Sequence, residues 1–218
     1  MSSIVVAGDT SGTITIAAPA VAGSGTLTLP VATDTLVGKA TVDTLTNKSI
    51  AATQLTGTIA AAALPAGSVL QVVQGSTDSQ LTITSVTYAD ITGLSASITP
   101  ISASNKILVR YRINGATSGA SLYSAFQIVR NSTAIGNGAQ GTTRTKAHSS
   151  ERGQYSDGNP YFTTSGEFLD SPSTTSSVTY KIQTSTNGTT YINRAATNND
   201  LADYSSTLCS ITLMEIQG

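Results

Sequence analysis

The sequence predicts a mainly β protein in two parts. A thin, extended N-terminal stalk or anchor spans residues 1–66, and an antiparallel, jelly-roll-like β-sandwich knob spans residues 67–218. Three observations carry this. Apolar residues alternate with hydroxyl residues at period two in both parts, as half-buried strands do. All 11 aromatic residues lie at or after Tyr88, so the first 87 residues hold none. Gly, Asn and Ser turns separate the apolar runs of the second half at the spacing of a sandwich.

The stalk is read from its missing aromatics and a short repeat. A globular core leans on aromatic side chains for buried area, and a thin element does not need them. Ser11-Gly12-Thr13-Ile14-Thr15-Ile16 recurs thirteen residues later as Ser24-Gly25-Thr26-Leu27-Thr28-Leu29. Pro19 and Pro30 follow the two copies, and proline stops a ladder. Two short strands cannot bury a face alone, and in a thin stalk the simplest partner is another copy of the chain. Ile14, Ile16, Leu27 and Leu29 are then the candidate core of a trimeric stalk. The competing reading is a hairpin packed on the second domain. Residues 41–63 mix Thr, Ala and isolated Leu and Ile without a helical period. A helical turn over 59–64, a strand and a loop all fit. Leu64-Pro65-Ala66-Gly67 is turn chemistry and makes a joint.

In the knob, Val69–Val73 and Leu81–Thr84 read as the first strands. Ile107, Val109, Tyr111 and Ile113 alternate with Leu108, Arg110 and Arg112. Leu122, Phe126 and Ile128 alternate with Tyr123, Gln127 and Val129. Val178, Tyr180 and Ile182 face away from Thr179, Lys181 and Gln183. The run Leu208–Ile216 is apolar on both faces, which places it centrally or at a subunit interface. Leu208, Ile211, Leu213 and Ile216 are expected to be buried within or between subunits. Residues 131–160 have weak periodicity and read as a long polar surface excursion, and such loops are commonly functional.

Composition excludes several classes. The 218 residues carry 11 basic and 12 acidic side chains, with no Trp, one His and one Cys. Thr and Ser number 36 and 29, so 65 residues offer a small hydroxyl. A near-neutral chain lacks the cation excess that phosphate backbones require, so no nucleic acid is expected. One Cys cannot close an intrachain disulfide, and Cys/His zinc sites lack ligands. No apolar run reaches about 18 residues, so no membrane insertion is expected. The start MSSIVVAGDT has neither a basic nor a long apolar region, so no secretory signal is visible.

The short motifs point to little chemistry. Gly136-Asn137-Gly138-Ala139-Gln140-Gly141 fits GxGxxG, but Thr142–Lys146 offers no helix to present backbone N–H groups to a pyrophosphate. Gly8–Gly12 faintly resembles a serine-protease loop, yet the only His is His148 and the stalk has no cleft for a triad. His148 reads as an exposed surface residue, with a pH-sensitive or ligand-binding role as the alternative. Asp200 and Asp203 offer oxygen ligands without an EF-hand pattern. A glycosidase needs a carboxylate pair about 5–9.5 Å apart, and Glu151, Asp157, Glu167 and Asp170 are the nearest set. No catalytic residue, cofactor or metal is therefore assigned, and the chain is expected not to be an enzyme.

Charge is more informative. Lys106, Arg110, Arg112, Arg130, Arg144, Lys146 and Arg152 form a run interrupted only by Glu151, and the remainder of the chain is acidic. Either neighbouring strands or subunits cancel the two signs, or the basic part meets an anionic glycan or a capsid surface.

Asp43–Ile50 (DTLTNKSI) resembles the "TLTNK" element of tailed-bacteriophage fibre and appendage proteins. Leu55–Pro65 (LTGTIAAAALP) is similar to a segment common in the same proteins. Pro65–Val73, with Ile98-Thr99-Pro100 and Ser104–Val109, is similar to the start of a β-rich C-terminal domain in phage structural proteins. The resemblance implies a virion protein, assembled in the host cytoplasm and usually homotrimeric. Its N-terminal part would bind other virion proteins and its C-terminal knob would point outward. A tail fibre serving assembly and host attachment is the first expectation, and a head fibre or capsid decoration protein the second. A polysaccharide depolymerase is the remote third. The candidate contacts to a host cell-surface glycan are Arg144, Lys146, His148, Arg152, Tyr155 and Tyr161.

Overall fold

The computed structural model describes residues 3–7, 10–17, 49–50, 57, 59–119, 121–139, 141–153, 161–197, 202 and 204–218. The chain divides into two units, Met1–Thr56 and Gly57–Gly218. In the first, β1 (Ser3–Ala7) and β2 (Thr13–Ala17) form an antiparallel hairpin with Val6 opposite Ile14 and Ile4 opposite Ile16. The first copy of the repeat is thus a strand, paired to a segment of its own chain that its sequence did not single out. The alternating Thr13, Ile14, Thr15 and Ile16 supply the β-branched residues a strand favours. Gly12 turns the chain at φ +81°, a conformation costly for side-chain-bearing residues. Val5 and Val6 stay exposed at 57% and 53%. The second copy, with Leu27 and Leu29, lies outside the described residues.

The second unit begins with a 3-10 turn at Ala61–Ala63 and is built of antiparallel strands. In chain order these are β3 (Val69–Thr77), β4 (Leu81–Ile83), β5 (Ala89–Ile98), β6 (Lys106–Thr117), β7 (Tyr123–Arg130) and β8 (Thr133–Ile135). Then follow β9 (Ser149–Arg152), β10 (Tyr161–Asp170), β11 (Val178–Thr186), β12 (Thr190–Ile192) and β13 (Cys209–Ile216). β10 pairs along one edge of β6. The other edge of β6 takes β13 and then β12, end to end, and these pair in turn with β3 and β4. The second sheet runs β5–β11–β7, with β8 and β9 end to end on the far edge of β7. Counting each end-to-end pair as one position, both sheets are four positions wide.

Burial follows the predicted alternation. Ile107, Val109 and Ile113 of β6 and Ile211 and Leu213 of β13 meet Ile91, Leu94, Ile98, Phe126, Ile128, Tyr180 and Ile182 of the second sheet in one core. Each such side chain contributes about 1.5–3 kcal/mol when fully buried. β13 lies centrally, between β3 and β6, as its apolar run predicts. Its inward face is fully buried, while Ser210, Thr212, Met214 and Ile216 are half-buried and Leu208 is exposed. Gly75 marks a close approach of the two sheets. A Cβ there would collide with the Ser95 carbonyl oxygen of β5.

The break between β12 and β13 is closed by Asn193. It adopts φ 60°, which Asn tolerates better than most residues. Its side-chain amide donates to the carbonyls of Thr77 and Ser79 at 2.8 and 3.2 Å, and its Oδ1 accepts from the Cys209 thiol at 3.0 Å. Burial pushes the Cys209 thiol pKa up, against a backbone hydrogen bond from Asn114 that lowers it.

Candidate functional site

The candidate contact loop grows out of β7. Asn131, at φ 53°, reverses the chain so that Thr133 pairs with Arg130. This is the positive-φ geometry of a two-residue hairpin turn. The Asn131 backbone N–H donates to Thr179 O at 2.7 Å, and its Oδ1 accepts from the Thr179 N–H at 3.0 Å. Gly136, at φ +66°, then bends the chain beneath the Phe168 ring, where a Cβ would come within 2.8 Å of a ring carbon. Gly138 N–H to Ala147 O, 3.0 Å, closes the loop, and His148 N–H to Phe126 O, 2.8 Å, rejoins it to β7.

The excursion expected over 131–160 therefore contains two short edge strands, β8 and β9. Between them it folds back on the outer face of its own sheet. Asn137 donates to Gln127 Oε1 at 3.0 Å, Gln127 to Gln183 Oε1 at 2.7 Å, and Gln183 to Asp90 Oδ1 at 2.7 Å. Lys181 completes the row at 2.8 Å from Asp90 Oδ2. The Lys181 ammonium and the Gln183 amide hold the Asp90 carboxyl below its ordinary value against partial desolvation. Tyr88 anchors the loop by donating to Lys146 O at 2.7 Å. Under this cover Ala125, Gln127 and Val129 are buried, so β7 is buried on both faces.

His148 is half-buried rather than exposed. Its Nδ1 lies 2.9 Å from Gly136 O. Its ring packs edge-on against Tyr111 and Phe168, with centroids 5.6 and 6.4 Å away. Tyr111 in turn bonds Ser149 Oγ at 2.7 Å. A lone imidazole in a polar sequence gives no sign of this, because the aromatic partners come from β6 and β10.

Arg144 and Lys146 are exposed on the loop. A shallow cleft of about 400 Å³ is lined by Arg144, Thr145, His148 and Ser150, among others. A second, of about 270 Å³, is lined by Tyr123, Ala125, Arg144, Thr145 and Ser150. Arg144 and His148 are thus brought together. Arg152 is exposed opposite Tyr123 at the far end of β9. Tyr161 stands on the other sheet, paired with Ala116 of β6 and 45% exposed. Tyr155, Asp157, Asp200 and Asp203 lie outside the described residues.

The basic run is dispersed. Arg130 donates to both oxygens of Asp170 at 3.0 Å, and Arg110 pairs with Glu167 at 3.4 Å. Both carboxylates come from the acidic second half. Arg110 and Arg112 also line a groove of about 470 Å³ on the outer face of β10–β6–β13, with Thr163, Ser165, Ser210, Thr212 and Met214. The β6 alternation points these arginines outward, but the hydroxyls beside them come from strands distant in sequence.

Among the described residues no group of three or more His, Cys, Asp and Glu could hold a metal ion, and no helix is long and apolar enough to cross a membrane. Comparison with known family profiles and with curated proteins gives no match.

Proposed function

We propose that the chain is a structural protein of a bacteriophage virion, a homotrimeric fibre-like appendage of the tail-fibre type. It would act by assembly and host-surface attachment rather than by turnover. The observation that carries this is the strand order of the second unit. Its eight positions run first, eighth, third and sixth across one sheet and second, seventh, fourth and fifth across the other. This is a jelly roll, an architecture used by viral capsid and lectin domains. Fold alone does not assign function, and three further features favour this reading. The phage-like motifs occur in order along the chain. The β1–β2 hairpin leaves Val5 and Val6 exposed, as a stalk element awaiting other copies would. Glu167 and Asp170 are engaged with Arg110 and Arg130, so neither is a free carboxylate facing a cleft.

In this reading the N-terminal part joins the particle, and the clefts around Arg144 and His148 meet a host glycan. Native mass spectrometry of the full chain tests the oligomer: a species of three times the 22.2 kDa chain mass is expected, and a monomer at micromolar concentration overturns the trimer. Labelled particles seen by electron microscopy separate a tail appendage from a head fibre or capsid decoration.

A further inference from the structure

The outer face of β10–β6–β13–β3 is open, and register fixes what it presents. Glu167, Arg110, Thr212 and Gln74 are consecutive cross-strand partners and form one row. Ser165, Arg112, Ser210 and Ser76 form the next. The groove of about 470 Å³ is lined mainly from these two rows, and its size suits a small ligand. The two arginines in it are not equivalent. Arg110 is paired with Glu167 at 3.4 Å. Arg112 is exposed and has no carboxylate within ion-pair distance among the described residues. Its direct neighbours on either side are Ser165 and Ser210, whose hydroxyls have no hydrogen-bond partner among the described residues. Thr212 Oγ1 accepts from the Gln74 amide at 3.0 Å and keeps its own proton to donate. Thr163 Oγ1 donates to Asn114 Oδ1 at 2.7 Å and keeps its lone pairs to accept.

We propose that this groove binds a saccharide carrying a carboxylate, with the charge held by Arg112 and the sugar hydroxyls met by Thr163, Ser165, Ser210 and Thr212. The site lies on the other sheet from β7 and β9, which carry the clefts beside Arg144, and it does not require the virion reading. The chemistry of the groove selects this class. A guanidinium presents a planar fork that matches a carboxylate. Hydroxyls both donate and accept, as sugar hydroxyls do, so the two sets can satisfy each other in either sense. One free cation beside Glu167 balances a single carboxylate and disfavours a heavily charged polymer. A nucleic acid would want several cations and an aromatic stacking platform. The only aromatic in the lining, Tyr111, is buried and gives its hydroxyl to Ser149. An extended peptide would want a sheet edge with open N–H and C=O groups, whereas the β6 and β13 backbones beneath the groove are paired on both sides.

The test titrates the full chain with sialyllactose and with digalacturonate, both carboxylate sugars, and with lactose as the neutral control. Isothermal calorimetry gives affinities, and amide shifts in NMR spectra locate the contact without any variant. At least one acidic sugar should bind saturably, at least about tenfold tighter than lactose, with shifts centred on Arg112, Ser165 and Ser210. Arg112→Gln should weaken that binding at least about tenfold. The replaced side chain is exposed, so the variant should fold, and circular dichroism checks that it does. Arg144→Gln should leave the affinity unchanged within about twofold, because Arg144 is not in this groove. Failure of both acidic sugars to bind at about 10 mM overturns the proposal. So does lactose binding equally well, because the charge would then be idle. Loss of binding in Arg144→Gln but not in Arg112→Gln overturns it and moves the site to the loop clefts. A hexaglutamate peptide that binds the groove more tightly than either sugar overturns the saccharide class and assigns the groove to acidic peptide.

Discussion

Asp170 and Glu215 stand in one cross-strand row on either side of Ile107, each its direct partner on a neighbouring strand. Both carboxylates are buried, and they are satisfied in different ways. Asp170 takes two hydrogen bonds from Arg130 and one from the Tyr180 hydroxyl at 2.7 Å, joining β10 to both central strands of the opposite sheet. Glu215 has no cation within ion-pair distance among the described residues. It accepts from Gln71 at 2.5 Å, Asn105 at 2.6 Å and the Ile101 N–H at 2.7 Å, which fastens the β5–β6 connection under β13.

Glu215 predicts an acid-sensitive stability. Burial opposes its charge, but the hydrogen bonds outweigh burial and hold its pKa below the ordinary 4.5. A depressed folded pKa contributes stability above the unfolded value, and that contribution is lost as pH falls through the folded one. Glu215→Gln should cost about 2–3 kcal/mol at neutral pH, because fewer lone pairs then face the same donors. Denaturant midpoints measured from pH 7 down to pH 3 should converge for the two proteins. Parallel midpoints at every pH would contradict the assignment.

Asp170→Asn leaves Arg130 without its charged partner and should cost about 2–3 kcal/mol, discounted because Arg130 is partly exposed. The same cluster governs the alkaline limb. Burial first, then the Asp170 carboxylate, pushes the Tyr180 phenol well above 10.0. A raised folded pKa gives stability that is complete below the unfolded value and lost as pH climbs past it. Tyr180→Phe should therefore flatten the fall in stability above pH 10. An unchanged alkaline slope would exclude Tyr180 as its source.

Cys209 should be inert while the sandwich is intact. Its thiol is fully buried, engaged with Asn193 and Asn114, and raised in pKa, so little thiolate meets reagent. A thiol-reactive dye should report no free sulfhydryl in native protein and one after denaturation. Asn193→Ala removes the acceptor and the donors that close the β12–β13 break, and should destabilise by about 2–4 kcal/mol. Native-state labelling as fast as in denaturant would contradict the buried site.

Gly75→Ala tests how closely the sheets approach. The new Cβ meets backbone on β5, which cannot swing aside as a side-chain tip would. A loss of about 2–3 kcal/mol is expected, read as a lower melting temperature. An unchanged melting temperature would mean that β3 and β5 sit further apart.

Legibility followed the inward faces of the strands. β6, β11 and β13 were clear in the sequence because each carries an alternating apolar inward run: Ile107, Val109, Tyr111 and Ile113; Val178, Tyr180 and Ile182; Ile211 and Leu213. β10 was not, because its inward face reads Phe162, Thr164, Gly166, Phe168 and Asp170. Gly166 is there because a Cβ would crowd the Tyr111 hydroxyl and the His148 ring, and Asp170 because Arg130 and Tyr180 wait across the core. β5 was hidden by a register shift opposite Lys181 and Gln183. Gly93, at φ +83°, lies in that stretch and puts the buried Ile91 and Leu94 three residues apart instead of two. The loop's polar sequence marked it as surface, but not that Asn137 would extend a Gln127–Gln183–Asp90 row. The rows of the open face were illegible because they are cross-strand objects, fixed by register rather than by any local pattern.

The central claim is that this β-sandwich belongs to a virion. Virus particles purified from cells that produce the protein, decorated with an antibody to the second unit and imaged by electron microscopy, test that directly. The account predicts label at fixed positions on the particle, on the tail for the first reading and on the head for the alternative. Particles free of label, with the protein left in the soluble fraction of the lysate, would contradict it.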